Sequence, residues 1–480
     1  MIGALRQLLR RPIVRHPIAR PMTVVAVFFV LWAVALWAHH AAVYSFGLEA
    51  SRPFFGNLAP LYARLHTAFE LSRQSIPAAA GAWCVVAAMA ALALRYARWP
   101  VWLLLPVAVG FAVTINALTA SIDGAGTIER PFTRLRLEYF GDVRRVGDDP
   151  ARFLADYAQR VEARQLSLHG GTHPPGGALV LWAVSRMFDP SATTAAWAAI
   201  ALSALAIVPA YFLWSAVSDA ESARAAVCLW LVTPSVVLFG ATCMDGVFML
   251  FPITAMALYE HATKSQRWWP VLACLGGIAL AAGLMMTFAA LVLGIIWATR
   301  FIVACVADRS SIRRLVVVNL VVLAASMGAI GAVQWLSGYD FIANVQASAK
   351  YDEQLMGTGA ETAGRYIDVS TSNLAAFFIA AGLANLALAT AAATGSLRPM
   401  RFNIRLVSYW IALVAIAFST LFTLEVERVW LFLLPLFVLT AARGIMRLPS
   451  GRPRSIAVAT AVLALYAQTF IIEKWFNTLW

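Results

Sequence analysis

Charged residues are scarce in this chain, at 13% of its 480 residues, whereas hydrophobic residues account for 61%. A soluble domain carries about 25% charged and about 45–50% apolar residues, so the composition excludes an ordinary soluble protein. Apolar runs reach the roughly 20 residues that a helix needs to cross the hydrocarbon core of a bilayer. They fill most of the chain and leave no room for a large separate soluble domain.

Cysteine is also scarce, and the sequence contains no CxxC pair. All the cysteines lie within apolar segments or at their edges, which is typical of small buried hydrophobic residues rather than of disulfides or metal ligands. We therefore expect no chemistry from them. They are Cys84, Cys228, Cys243, Cys274 and Cys305.

Lysine is rare as well, so the net charge of +13 comes almost entirely from arginine. In a soluble protein this balance would favour nucleic acid as a partner. In a membrane protein it indicates orientation in the bilayer and cations near a phosphate group. We therefore expect the bilayer as a partner and no nucleic acid.

Thirteen apolar stretches predict an all-α fold, a polytopic transmembrane helix bundle with about 13 spans. The first stretch follows an arginine-rich N-terminus and is longer than the apolar part of a cleaved signal peptide, so we interpret it as an uncleaved helix. Glycines in the seventh stretch also fit a single broken helix made of the seventh and eighth. The predicted spans are 22–42, 76–95, 99–119, 193–217, 222–239, 245–263, 269–283, 286–305, 315–337, 371–394, 405–423, 429–444 and 456–474.

The distribution of basic residues predicts the orientation of these spans. Alternate short connections carry arginine or lysine, such as Arg95 and Arg224, whereas the connection at 240–244 carries neither. The positive-inside rule then places the N-terminus in the cytoplasm of a multi-pass cell-membrane protein and the C-terminus outside. The predicted regions are N-terminal transmembrane helices (1–119), an extracytoplasmic catalytic loop with an interfacial helix (120–192), core transmembrane helices (193–337), an extracytoplasmic loop (338–370) and C-terminal transmembrane helices (371–480).

The loop 120–192 is the longest polar interruption, and it is dense in acids and arginines. A loop of this length is usually functional, and a carboxylate at the mouth of a helix bundle can serve as a general base. The loop ends in the segment 171–176, GTHPPG. The apolar stretch that follows Pro175 is too short to cross a bilayer, and it begins with proline where a helix tolerates it. It therefore predicts a helix at the outer membrane interface.

Two other polar features lie at the outer ends of predicted spans. Asp245 opens an apolar helix, where a carboxylate also complements the helix dipole. Arg428 follows Glu425 and Glu427 and is the one cation of its short connection. An arginine at this position can hold a phosphate through two parallel hydrogen bonds, or it can pair with a neighbouring acid or reach to the interface.

His169 and His173 lie four residues apart, a spacing that suits a metal on a helix. Two glycines separate them and two prolines follow, so we expect no helix and no metal site at this pair. The prolines restrict the backbone of His173 instead. We expect His173 to contact substrate or to set the conformation of the loop.

These features together resemble the C-type superfamily of membrane glycosyltransferases, which use lipid-linked sugars and include protein O-mannosyltransferases, aminoarabinose transferases and oligosaccharyltransferases. Members carry an acidic motif in the first large outer loop, a His/Lys-Pro-Pro element that opens an interfacial helix, and an aspartate that begins a later inward span. Glu138, Tyr139 and Asp142 resemble the first part here, His173 the second and Asp245 the third. The similarity covers about 120–265. The chain departs from the pattern by two additional helices before the loop and by the lack of an Asp-x-Asp pair within it.

The resemblance implies a glycosyltransferase that moves a hexose or pentose, with inversion, from a polyprenyl-phosphate donor to an extracytoplasmic acceptor of the cell envelope. It implies a loop carboxylate, Asp142 or Glu138, as the base that deprotonates the acceptor hydroxyl. Asp123, nearest the preceding span, is the third candidate. We favour Asp142 because it lies in a compact motif before the His-Pro-Pro element.

The remaining implied roles concern the donor. Arg428 stabilises the leaving phosphate, with Lys350 or Arg365 in support, while Tyr139, His173 and Asp245 complete the binding site. A single phosphate beside an arginine needs no metal, whereas a diphosphate donor often does, so the sequence leaves a divalent metal open and implies no other cofactor.

Other functions remain alternatives at this point. Transporters and flippases place charges and broken helices near the bilayer midplane, but the spans 193–217 and 315–337 contain no charge and no inverted repeat is visible. A glycan polymerase or ligase with a diphosphate-linked donor would share the outer acidic loop. A non-catalytic membrane scaffold would need none of these residues.

Overall fold

The computed structural model describes residues 75–356, 362–393, 403–419, 421–422 and 425–475. These residues form α-helices and short 3-10 helices, and none of the described residues lies in a β-strand. The predicted all-α fold is therefore confirmed. The predicted span at 22–42 and most of the outer segment that follows it lie outside the described residues.

The helices follow one another along the chain with short connections. They are α1 (Ser75–Ala93), α2 (Val101–Ala120), α3 (Val143–Val146), α4 (Pro150–Ala155), α5 (Tyr157–Glu162), α6 (Leu168–Thr172), α7 (Gly176–Met187), α8 (Ala192–Leu205), α9 (Ile207–Val217), α10 (Ala220–Trp230), α11 (Pro234–Thr242) and α12 (Asp245–Phe248). The second half contains α13 (Leu250–Lys264), α14 (Trp269–Met286), α15 (Val292–Ala307), α16 (Ile312–Ser337), α17 (Phe341–Met356), α18 (Ala363–Ala381), α19 (Leu383–Ala393), α20 (Ile404–Ala417), α21 (Val426–Val429), α22 (Leu434–Ile445) and α23 (Arg452–Trp475).

The described residues contain seven helical segments that are long and apolar enough to cross a membrane, and up to nine if two bent helix pairs count as one span each. The chain is therefore a multi-pass membrane protein. The sequence predicted about 13 spans, and three reasons account for the difference. The first predicted span lies outside the described residues, two others form apolar helices shorter than 18 residues, and the span at 245–263 is divided between α12 and α13.

The seventh and eighth predicted spans are two separate helices rather than one broken helix. α14 ends at Met286, and Thr287 accepts a hydrogen bond from the backbone N–H of Ala289 (3.2 Å) to start the next turn. The glycines of α14 serve packing instead. A Cβ on Gly277 would lie 2.4 Å from the carbonyl oxygen of Val322, so glycine permits α14 and α16 to approach closely.

Two interrupted spans meet at their breaks. α10 and α11 are bent by 55° at the turn before Pro234, and the pair α18–α19 is bent by 100°. Asn385 of α19 donates to the hydroxyl of Thr233 (3.1 Å), and the Ser235 hydroxyl donates to the carbonyl of Ala380 (2.9 Å). Polar groups that the two bends expose therefore bond to each other.

Gln468 of α23 closes the second break. Its Nε2 donates to the carbonyl of Ile379 (2.8 Å), and its Oε1 accepts from the backbone N–H of Leu383 (2.8 Å). Gly382, between α18 and α19, has φ +95°, a conformation that favours glycine, and a Cβ there would meet a side-chain carbon of Leu465 at 2.3 Å. The α10–α11 pair, the α18–α19 pair and α23 are therefore joined by hydrogen bonds at the two breaks.

The segment between α2 and α8 folds into the short helices α3 to α7 and packs on the bundle. α7 matches the helix predicted after Pro175, and at 12 residues it is shorter than a span. Its first two residues are glycines that pack closely on other parts of the chain. A Cβ on Gly176 would lie 2.2 Å from the carbonyl oxygen of Met285, and a Cβ on Gly177 would lie 2.9 Å from the ring of Tyr139. This packing fixes the start of α7, and with it the preceding His173.

Candidate active site

Glu138 lies just before the 3-10 helix Tyr139–Asp142 and is 6% exposed. Its Oε1 lies 3.6 Å from Nε2 of His169, which is too long for a hydrogen bond. Burial raises the pKa of Glu138 to about 7, and the positive charge of Arg428 opposes part of this rise. A carboxylate whose pKa is close to neutrality is well suited to accept a proton at physiological pH.

Asp142 links two parts of the loop through its hydrogen bonds to Ser167 and Arg145. Its Oδ1 accepts from the backbone N–H of Ser167 (2.9 Å), its Oδ2 accepts from the Ser167 hydroxyl (2.5 Å), and Arg145 pairs with it at 3.0 Å. Burial raises the pKa of Asp142, and these hydrogen bonds oppose the rise. Gly170 packs against the carboxylate so closely that a Cβ would lie 2.3 Å from Oδ2. These contacts occupy both carboxylate oxygens.

We expect Asp142→Asn to destabilise this segment. The asparagine amide keeps one acceptor oxygen but lacks the negative charge that strengthens the hydrogen bonds from Ser167 and Arg145. A hydrogen bond to a charged group contributes about 1.5–3 kcal/mol to the stability of the folded protein. The unfolding midpoint of the purified protein should therefore fall. Asp148→Asn is the matched control, because its ion pair with Arg186 is exposed and contributes little. Equal midpoints for the two variants would contradict this role.

Aromatic rings pack against one another next to Glu138, and the His169 ring approaches its carboxylate. Tyr139 stacks on His169 (centroids 5.8 Å apart), and its edge faces His173 (5.9 Å) and Phe248 (5.4 Å). Burial lowers the pKa of His173 to about 4, and it lowers the pKa of His169 as well. Both imidazoles are therefore neutral at pH 7 and can donate or accept a hydrogen bond without carrying charge.

The prediction that no helix forms at His169 is wrong, because α6 spans Leu168–Thr172. Ser167 caps this helix by accepting from the backbone N–H of Gly170 (3.0 Å). The two glycines do not break the turn. They permit close packing, Gly170 on Asp142 and Gly171 on Tyr351 of α17.

Arg428 joins two acidic segments. Its Nη1 lies 2.6 Å from Oδ2 of Asp245, and its Nη2 pairs with Glu425. The Arg428 side chain is 4% exposed and that of Asp245 7%, whereas that of Glu425 is 27% exposed. Glu425 also adopts φ +61°, an unfavourable conformation for a residue with a side chain. The arginine is thus held from the buried side by Asp245 and from the open side by Glu425.

Glu427 is a further buried acid at this end of the bundle. It is 3% exposed, and neither carboxylate oxygen has a hydrogen-bond partner among the described residues. Burial raises the pKa of Glu427 to about 8. The residue is therefore mostly protonated at pH 7 and adds little negative charge beside Arg428.

The structure brings together most of the predicted site residues. The charges of Asp245 and Arg428 act on Glu138 and on His173, and Tyr139 contacts His173 directly. Asp123 lies apart, because its carboxylate pairs with Lys474 of α23 at 2.5 Å.

Two further cations, Lys350 and Arg365, were predicted to support Arg428. Lys350 is exposed on α17, and the side chain of Arg365 lies outside the described residues. Among the described residues, no group of three or more His, Cys, Asp or Glu side chains is placed to hold a metal ion.

Three residues of the site were not predicted. Phe248 lies one turn after Asp245, and that helical spacing could have indicated its position. Ser167 precedes the His-Gly-Gly sequence as a typical N-cap residue. His169 was considered only as a metal ligand, although the aromatic contacts place it against Tyr139.

Residues 172–333 match the family described as dolichyl-phosphate-mannose-protein mannosyltransferase. The resemblance to membrane glycosyltransferases that use lipid-linked sugars is thus confirmed over roughly a third of the chain. The matched residues include His173 and Asp245 but not Glu138 or Arg428. No curated protein matches the chain.

Solved structures of an oligosaccharyltransferase from Archaeoglobus fulgidus are similar to part of this chain. The apo form has a TM-score of 0.48 at 13% identity and covers 78% of this chain and 56% of its own. The complex with Zn and sulfate has a TM-score of 0.47 at 15% identity and covers 72% of this chain and 49% of its own. The chain therefore spans about half the length of these structures.

Proposed function

We propose that this chain, whose residues 172–333 match the dolichyl-phosphate-mannose-protein mannosyltransferase family, is a membrane glycosyltransferase that uses a polyprenyl-phosphate sugar. The observation that supports this most is the meeting of the acidic segment 138–142 with His173, Asp245 and Arg428. A base, neutral hydrogen-bonding rings and a cation are the groups that transfer from a lipid phosphate requires.

Glu138 is the base in this proposal. Its carboxylate takes the proton of an acceptor hydroxyl while the acceptor oxygen forms a bond to the anomeric carbon from the opposite face. The bond between that carbon and the phosphate oxygen breaks, and its electron pair stays on the polyprenyl phosphate. Glu138 is favoured over Asp142 because hydrogen bonds from Ser167 and Arg145 already occupy Asp142. Asp142 positions the loop.

Arg428 stabilises the charge that develops on the leaving phosphate. Glu425 occupies the more exposed side of its guanidinium, and a phosphate is the same kind of partner for it as a carboxylate. A donor phosphate therefore replaces Glu425 on Arg428, while Asp245 keeps the arginine in place. The strained φ of Glu425 makes this exchange less costly.

The orientation of the chain supports a lipid-linked donor. From the basic residues of the short connections we expect the loop 120–192 to lie outside the cytoplasm, where nucleotide sugars are absent. A sugar that reaches Glu138 has crossed the bilayer on a lipid, whose chain lies between apolar helices. The acceptor is a hydroxyl of an envelope glycan, lipid or protein, and the regions 120–192 and 338–370 form the outer catalytic face.

The proposal is tested by following labelled mannose from three donors into an envelope fraction, with the full-length protein in detergent. We expect incorporation from polyprenyl-phosphate mannose and none from nucleotide-linked mannose. Incorporation only from a polyprenyl-diphosphate donor would favour a glycan polymerase or ligase. Absence of transfer in detergent, together with movement of the donor across sealed vesicles, would favour a flippase.

A further inference from the structure

A second charged site lies at the other end of the helix bundle. α13 begins five residues after Asp245 and runs for 15 residues, about 22 Å at 1.5 Å per residue. α22 begins six residues after Arg428 and carries Arg443 in its last turn. The far ends of these helices, with the end of α15 and the start of α20, surround a cavity of about 560 Å³.

The cavity is lined by four arginines and one acid. Arg300, Arg314, Arg405 and Arg443 face it together with Asp308. The exposed Gln266 also lines it, so the cavity reaches solvent. Arginines that only orient the chain in the bilayer lie on the surface, as Arg313 does, but Arg300 is 7% exposed. A buried arginine requires a partner for its charge.

One acid serves two of these arginines. Glu260 lies 3.1 Å from Nη1 of Arg300 and 2.8 Å from Nε of Arg405. The directions of these contacts do not suit hydrogen bonds, and Nε of Arg300 has no hydrogen-bond partner among the described residues. Arg300 and Arg405 thus share one carboxylate, and both have N–H groups without a hydrogen-bond partner among the described residues.

Arg314 is held in place by backbone carbonyl groups and an aromatic ring. Its Nη2 donates to the carbonyl of Ala262 (3.0 Å) and to that of Ser265, and its guanidinium lies over the ring of Trp269. Arg300, Arg314 and Arg405 are therefore held in place before any ligand binds. The cavity is lined by four arginines and Asp308, and the carboxylates of Glu260 and Asp219 act on three of these arginines from outside the lining. Among these groups, positive charge is in excess.

We propose that this cavity binds a phosphate group at the membrane face opposite the Glu138 site. Guanidinium groups bind phosphate through paired, charge-assisted hydrogen bonds, and basic pockets between membrane helices accept anionic head groups. The phosphate comes from an anionic lipid or from solution. Both sources present the same chemistry to Arg300, Arg405 and Arg443.

The test measures unfolding midpoints of the full-length protein and separates the two sources. One arm compares nanodiscs of phosphatidylcholine alone with nanodiscs that also contain phosphatidylglycerol. The other arm adds inorganic phosphate at an ionic strength matched with sodium chloride. We expect at least one of the two to raise the midpoint of the wild-type protein. A response to lipid alone or to phosphate alone identifies the source.

Arg443→Gln should weaken the apparent affinity by about tenfold, because one charged hydrogen-bond pair is lost. Arg443→Lys, which keeps the charge but not the paired geometry, should fall between this variant and the wild type. Arg313→Gln removes the same charge at the same end of the bundle but does not line the cavity, so it should respond like the wild type. No response in the wild type, or equal losses in Arg443→Gln and Arg313→Gln, would overturn the proposal. The measurement does not depend on sugar transfer.

Discussion

Replacing Glu138 with glutamine is expected to lower kcat for sugar transfer by about 10²–10⁴-fold, the usual contribution of a general base. Glutamine has nearly the same shape and cannot accept the proton. Glu138 is buried and makes no hydrogen bond to His169 at 3.6 Å, so the variant should fold. The measurement is single-turnover transfer from polyprenyl-phosphate mannose. Glu162→Gln is the matched control, because Glu162 is an exposed acid of the same segment.

The pH dependence gives a second readout for Glu138. Since the ionised form is the base, transfer should rise with pH and level off above the pKa of about 7. Because folding raises this pKa from 4.5, ionisation of Glu138 destabilises the folded protein as the pH rises from about 4.5 to 7. Glu138→Gln should remove that loss of stability. A variant that keeps wild-type transfer would show that Glu138 is not the base.

Replacing Arg428 with glutamine should destabilise the folded protein and abolish sugar transfer from the polyprenyl-phosphate donor. The substitution leaves the buried carboxylate of Asp245 without its cation, and breaking a buried ion pair costs about 3–5 kcal/mol. The unfolding midpoint should fall clearly. Transfer should be lost as well, because no guanidinium remains to balance the charge on the leaving phosphate.

A double substitution separates these two effects. Asp245→Asn combined with Arg428→Gln removes both charges, so much of the stability should return while transfer stays lost. Arg186→Gln is the control, since its ion pair with Asp148 is exposed. If the double variant is as unstable as Arg428→Gln alone, the Asp245 contact is not the cause of the instability. If it transfers sugar at the wild-type rate, Arg428 does not act on the phosphate.

The sequence predicted the composition of the site better than the position of each acid within it. The resemblance to C-type glycosyltransferases grouped Glu138, His173 and Asp245, because their order, spacing and sidedness along the chain match the family pattern. The hydrogen bonds from Ser167 to Asp142 could not be predicted, since they join residues 25 positions apart through a turn of the loop. Asp142 was favoured as the base for its motif alone.

The spans show a similar limit. Long apolar helices such as α14 and α16 were predicted because length and hydropathy suffice to define them. Mean hydropathy over a span does not change at a bend, so the apolar runs did not predict the breaks before Pro234 and at Gly382. The pairing of Asp123 with Lys474 was equally hidden, because it joins residues 351 positions apart.

The meeting of the two interrupted spans also bears on how the protein is made. A bend in lipid leaves backbone groups without partners, at a cost of several kcal/mol each. Here Thr233 and Ser235 of the first break bond to Asn385 and Ala380 of the second, and Gln468 bonds to Ile379 and Leu383 of the second break. Residues 220–241 leave the ribosome long before Ala380 and Asn385 do. The nascent chain therefore carries polar groups at this first break that find these partners only after α18 and α19 have been made.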